Sequence, residues 1–187
     1  MKKDFVYVSP GIVFLAAILI YLDGIAFVIQ CISACALHEF GHYSAARLNG
    51  NKIRSIRITA VGAEIYFDTG RSFSYFGEII TAFAGPVVNL ITAWISVKLN
   101  AFLFAGINLC LGIINLLPIR PLDGGRILTS ILSLFFPNAA DGVVSCISIM
   151  FSGCLLGLGW LAWKTWGNVS LLLTAAWIVL ESIDEKN

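Results

Sequence analysis

Six apolar runs follow one another along this chain, several of them near 20 residues long, and that repetition limits the fold more than anything else in the sequence. Inside a bilayer no water is present to satisfy backbone N–H and C=O groups, so a run that crosses one must close its hydrogen bonds within a helix or a sealed barrel. About 20 residues of helix cover a hydrocarbon core of ~30 Å. Of the 187 residues, 58% are hydrophobic and only 12% are charged, with a mean hydropathy of +0.88. A soluble domain carries ~25% charged residues. The expected fold is therefore an all-α polytopic membrane protein with six transmembrane helices, and the lipid bilayer is its expected surroundings. The formal net charge of +1 and the lack of any basic run give no footing for a nucleic-acid partner.

The expected first span runs from about Phe5 to Leu22 and the second from about Ile25 to Leu48. Asp23-Gly24 makes the turn between them, and Gly50 is placed to cap the second. No clean small-residue cleavage site follows the first run, so it is read as a retained span rather than a signal peptide. Residues 52–68 have another character. β-branched and polar residues alternate there, and Val61-Gly62 divides them. A small β-hairpin or sheet at the membrane surface, between helices two and three, is expected from this pattern, and its edge strand is suited to pair with an extended substrate.

The third span, from about Phe73 to Val97, carries Glu78, Pro86 and Asn89, and Pro86 should kink it. The fourth starts near Phe102, breaks over Pro118 to Arg126, and resumes from Ile127 to Phe136. Irregular backbone at membrane depth is tolerated only where it is buried or lines a water-filled cavity. The fifth and sixth spans are expected at about Gly142 to Trp163 and Val169 to Leu180. Six spans put both termini on one side. With that side cytoplasmic, it holds Lys2, Lys3, Arg47, Lys52, Arg54, Arg57, Arg71, Arg120, Arg126 and Lys186, against Lys98 and Lys164 on the other. The five cysteines, Cys31, Cys35, Cys110, Cys146 and Cys154, all fall in apolar runs without a C-x-x-C, and are read as small buried packing residues.

Within the second run stands His38-Glu39-Phe40-Gly41-His42, which holds both histidines of the chain. At helical pitch the two imidazoles project from one face, where they can share a zinc ion, with Glu39 beside them to act on a water as general base. Ionisable residues at membrane depth are costly and mark function. His38 lies ten residues before Leu48, which is about 15 Å from that helix end at ~1.5 Å per residue, or half of a ~30 Å core. Catalytic zinc usually takes a third protein ligand and keeps a position for water. The acids available are Asp123, Glu78, Asp23 and Glu64. Asp23 lies at a membrane boundary, Glu64 in the surface segment, and Glu78 near a helix end that favours a carboxylate for its own sake. Asp123 is preferred, because it sits in the glycine-rich break at similar depth; the plainer reading of Leu-Asp-Gly-Gly is a turn. Cys31 and Cys35 share the histidine stripe, but a His/His/acid set suits a catalytic zinc better.

Together, His38 to His42, Ala84-Gly85-Pro86 with Asn89, and Asn115, Pro118 and Pro121 to Arg126 resemble the three motifs of the site-2 protease family of intramembrane zinc metalloproteases. The motifs cover residues 38–126 in that family's order, and the six-run layout looks most like the branch that processes sporulation sigma factors. The resemblance implies one zinc per chain on His38, His42 and Asp123, Glu39 as general base, and Asn115 as an aid to oxyanion stabilisation. For Asn89 and Asn115 the plainer alternative is a hydrogen bond between helices. The resemblance further implies a single protease domain over 1–187, with a core at about 24–136 and a surface segment at 52–68. The substrate would be a membrane-embedded or membrane-associated protein, such as a transcription-factor precursor or an anti-sigma factor, cleaved in the cell membrane with the site opening to the cytoplasm. A membrane regulatory partner and a homo-oligomer are both compatible with this layout. The chain differs from the wider family in having no PDZ-like insertion, and no nucleotide-sensing domain is expected after the sixth run. A metal transporter would need ionisable residues leading to the far side, and runs five and six have no Asp, Glu or His in their interiors. A catalytically inert scaffold that captures membrane partners would have no use for Glu39 beside two ligands.

Overall fold

The first long helix is bracketed by the residues the sequence singles out as stops. α1 runs Ile25–Leu48; Asn49 caps its end, and Gly50, at φ +79°, donates its N–H back to the Arg47 carbonyl at 3.0 Å. Only glycine adopts that φ readily. The structure is a computed structural model and describes residues 6–8, 20–21, 24–50, 53–59, 62–67, 74–167, 172–176 and 178–179. The chain divides into two compact units, residues 1–113 and 114–187.

In the first unit, α2 (Tyr75–Lys98) packs along α1. The Ser74 hydroxyl accepts from the Gly77 N–H at 3.1 Å, and Glu78 sits in the first turn, where the helix dipole favours an anion. The Asn49 side chain donates to Thr81 Oγ1 at 3.3 Å and so ties the end of α1 to the start of α2. Between the two helices the buried positions are small: Ala34, Gly41, Ala45 and Ala46 on α1, Ala82, Gly85 and Ala93 on α2. The large side chains Ile29, Ile32, Phe40, Phe83 and Trp94 are exposed instead. A soluble protein would bury these. In lipid, burying a large side chain gains little, while small residues let two backbones approach, so the arrangement inverts. α2 continues through Pro86, which is buried. Leu99-Asn100 then turns the chain into α3 (Phe102–Asn115), with Asn100 at φ +58°.

The same unit holds a three-stranded sheet in the order β1-β2-β3, built from Val6–Val8, Ile53–Thr59 and Gly62–Phe67. β1 lies parallel to β2 with Val6 opposite Ile56, and β3 lies antiparallel with Ile65 opposite Ile56; the register slips between Ile53 and Ser55.

The second unit holds α4 (Asp123–Phe135) and α5 (Ala140–Trp166), with a further helical stretch at 172–176. Residues 116–122 fold back over the start of α4 around the fully buried Ile119. The Arg120 N–H donates to Ser148 Oγ at 3.1 Å, and its guanidinium meets Asp141 at 2.6 Å. Gly124 lies so close to the Leu116 and Leu117 carbonyls that a Cβ there would collide with backbone.

The expected fold class does not hold. Among the described residues only α1, α2 and α5 are long and apolar enough to cross a membrane. The first run contributes Val6–Val8 as a strand, which makes the sheet three-stranded and mixed rather than a hairpin between helices two and three; residues 9–19 and 22–23 of that run lie outside the described residues. The fourth run divides into helices of 14 and 13 residues, each ~20 Å long, too short for a ~30 Å core. Of the sixth run, residues 169–171, 177 and 180 lie outside the described residues. The Asp-Gly-Gly-Arg run is not part of the break: it forms the first turn of α4, where an aspartate complements the helix dipole. The cysteines also depart from expectation. All five are free, but Cys35, Cys110, Cys146 and Cys154 are exposed and Cys31 half-buried, because lipid solvates an apolar thiol as well as a protein core does.

Gly124→Ala tests the fold-back. The substitution should destabilise the second unit by about 1–3 kcal/mol, as overpacking against rigid backbone does. Thermal unfolding in detergent would measure it, with Gly153→Ala, an open position, as the control.

Candidate metal centre

His38 and His42 lie one turn apart on α1, both buried, facing α2. Their rings meet edge to face with centroids 4.7 Å apart. Each ring is held from α2 through Nδ1. The His42 Nδ1–H donates to the Thr81 carbonyl at 2.8 Å, and the His38 Nδ1–H donates to Asn89 Oδ1 at 2.5 Å. A carbonyl oxygen only accepts, so His42 must carry its proton on Nδ1. Asn89 gives the same result for His38, because its amide nitrogen is engaged with the Ala34 carbonyl at 3.1 Å, which leaves Oδ1 to face the ring.

The two Nε2 atoms are 3.1 Å apart. With both protons on Nδ1, neither Nε2 has a hydrogen to share, and two lone pairs confront each other in a buried site. A cation relieves that repulsion. Two nitrogens bound to one tetrahedral zinc at ~2.0–2.1 Å stand ~3.3 Å apart, close to the spacing present. The donor set and its outer hydrogen bonds therefore fit a zinc ion, in the manner of metal-bound histidines whose second ring nitrogen is tied down.

The close approach of α1 and α2 makes this possible. A Cβ on Gly85 would collide with His42 Nε2 and Cε1, and would come within 3.0 Å of His38 Cε1. Thr81, Gly85 and Asn89 recur at every fourth position, so one stripe of α2 supplies a carbonyl acceptor, a gap for the rings and an amide acceptor. The sequence reading chose Gly85 and Asn89 only by motif and overlooked Thr81, which acts through its main-chain carbonyl, and Asn108, which lies across on α3.

Glu39 follows His38 on α1 and is half-buried. In the second unit, Asp123 is the first residue of α4 and is buried, with Arg126 Nη1 3.4 Å from its Oδ1. Asn115 is the last residue of α3 and half-buried. Of the other acids considered, Glu78 is half-buried in the first turn of α2, Glu64 lies in β3 opposite Arg57, and Asp23 lies outside the described residues.

Residues 26–104 and 95–157 match Peptidase family M50. A zinc metalloprotease of Methanocaldococcus jannaschii is 33% identical over 109 residues, covering 52% of this chain and 31% of that protein. Stage IV sporulation protein FB of Bacillus subtilis is 24% identical over 141 residues, covering 71% of this chain and 49% of that protein. The chain thus spans less than half the length of these relatives. Among solved structures, a site-2 protease from Methanocaldococcus jannaschii shares the fold, with a TM-score of 0.75 at 23% identity, over 100% of this chain and 94% of that one.

Gly85→Ala should push the His42 ring from its place while leaving both histidines in the chain. Zinc retained after purification, measured by elemental analysis, should fall about 10-fold or more, the scale on which outer contacts act on metal affinity. Retention equal to wild type would show that the rings do not depend on this gap.

Proposed function

The chain belongs to Peptidase family M50, and from that premise we propose that it is an intramembrane zinc metalloprotease acting on a membrane-embedded or membrane-associated protein. The observation that carries the reading is the pair of buried imidazoles on α1, with both Nδ1 protons committed and the two Nε2 atoms 3.1 Å apart. His38, His42 and Asp123 are the proposed ligands of one zinc. Asp123 brings a buried carboxylate at a helix start, and a His/His/acid set leaves the fourth position for water. When bound, zinc polarises the scissile carbonyl and lowers the pKa of water toward ~7.

The remaining work falls to the chain. Glu39 takes the proton of the attacking water and returns it to the leaving amine. The Asn115 side-chain amide donates to the developing oxyanion. The substrate must arrive extended, since a helix keeps its carbonyls engaged. β3, at one side of the three-stranded sheet, offers backbone groups for such a strand to pair with. Residues 1–187 are read as one protease domain, so the two units act together. The motif resemblance over residues 38–126 implies a transcription-factor precursor or an anti-sigma factor as substrate class.

Among the described residues, three helices long and apolar enough to span support a membrane protein. The finer placement, a multi-pass protein of the cell membrane with the site open to the cytoplasm, rests on the Lys and Arg distribution. Two helix ends carry the marks of a membrane–water interface. Lys98 lies 5.8 Å from the Trp94 ring at the end of α2, and Lys164 lies 5.5 Å from Trp160 and 5.8 Å from Trp163 at the end of α5. Tryptophan and lysine together mark a membrane–water interface.

Two variants separate the roles. Glu39→Gln should abolish cleavage of a co-reconstituted substrate by at least ~100-fold, the lower range for a general base, while zinc content stays at one per chain. Asp123→Asn should lose zinc and activity together. Full activity in zinc-stripped Glu39→Gln protein would sink the metalloprotease reading.

A further inference from the structure

Two buried asparagines in the first unit form a line of hydrogen bonds that runs in one sense only. Asn108, on α3, is fully buried. Its Nδ2 donates to the Phe104 carbonyl at 2.9 Å, one turn back in the same helix. A carbonyl cannot donate, so the amide nitrogen of Asn108 must face Phe104 and its Oδ1 must face the other way. That oxygen accepts from Asn89 Nδ2 at 2.8 Å, and the second proton of the same amide goes to the Ala34 carbonyl at 3.1 Å. Both Asn89 donors are then committed, and its Oδ1 faces His38 Nδ1 as an acceptor. The line begins at a backbone carbonyl of α3 and ends by setting which nitrogen of His38 carries the proton.

We propose that Asn108 is a positioning residue for His38: its side-chain oxygen holds the Asn89 amide in the one orientation that keeps the His38 proton on Nδ1, the tautomer whose Nε2 can serve a metal. The role as it bears on zinc rests on His38 being a ligand, as argued above; the effect on the tautomer does not. A bare acceptor is what the position supplies. His42 reaches the same tautomer by an independent route through the Thr81 carbonyl, so loss of Asn108 acts on one ring and spares the other. The helix-to-helix hydrogen bond expected of Asn89 is therefore present, and it is also the link that passes orientation from α3 to the site.

The test compares Asn108→Leu with Asn108→Asp in the full chain in detergent. Asp is close in volume to asparagine, and leucine is branched at the same carbon but larger. Asp keeps an oxygen for Asn89, and leucine does not. The chain has only two histidines, so a sample labelled with 15N-histidine and stripped of zinc reads both tautomers directly by NMR. In the wild type both rings should show Nδ1–H. Asn108→Leu should bring in the Nε2–H form of His38, leave His42 unchanged, and lower zinc affinity about 10- to 100-fold. Asn108→Asp should keep the wild-type spectrum and stay within a few-fold in affinity. If Asn108→Leu fails to fold, Asn108→Ala removes the same oxygen without adding a bulky apolar side chain. The proposal is overturned if the acceptor-free variant leaves His38 as in the wild type, if Leu and Asp behave alike, or if both histidines change together, which would mean general loosening of the helix pair. A wild type that binds no zinc would instead count against the protease reading, and the spectra would still decide the role of Asn108.

Discussion

Two lone pairs held face to face at the centre of a helix pair are the constraint on which the site depends. Left alone, such a pair repels, and the helices would part or one ring would turn. They do neither because each ring is anchored from behind, one by a main-chain carbonyl and the other by an amide that is itself fixed. The anchors work only at short range, and short range is set by alanine and glycine between α1 and α2. In water, large apolar residues would fill such an interface. In lipid that gain is absent, so the interface can be given over to small residues, and the space they free is occupied by imidazoles. The small interface residues thus serve both the close packing of an apolar helix pair and the placing of the two imidazoles.

The second unit provides for Asp123 by a different device. Its carboxylate sits where a helix begins, and the backbone before it is folded over the helix start so tightly that glycine is required beside it. The guanidinium of Arg120 reaches Asp141, and its N–H reaches Ser148, so the fold-back is fastened to α5 at two points. The histidines depend on helix–helix contact and Asp123 on a folded segment and its fastening.

The sequence made the chemistry easy to read and the architecture harder. His38, Glu39 and His42 are legible because two histidines in a chain of 187 residues stand one helical turn apart in an apolar run. Ile25–Leu48 could be bounded to the residue, because a glycine stands at one end and Asn-Gly at the other. The start of the first run was misread because Val6–Val8 looks the same whether it starts a helix or joins a sheet, and only the distant partner at 56–58 decides. Length misled at the fourth run, where two helices too short to cross stand end to end in composition. The outer hydrogen bonds were invisible for another reason. A main-chain carbonyl such as that of Thr81 leaves no mark in the sequence, and Asn108 gains meaning only from what lies across from it.

The parallel pairing of Val6 with Ile56 has a consequence for how the chain comes together. The two strands are separated by about fifty residues, and the whole of α1 lies between them. A contact of that sequence separation is slow to form and gains nothing until the ends of the intervening loop have been brought together. During synthesis, β1 emerges long before its partner exists. The sheet therefore closes late: β1 must wait until the whole of α1 and then β2 have been made.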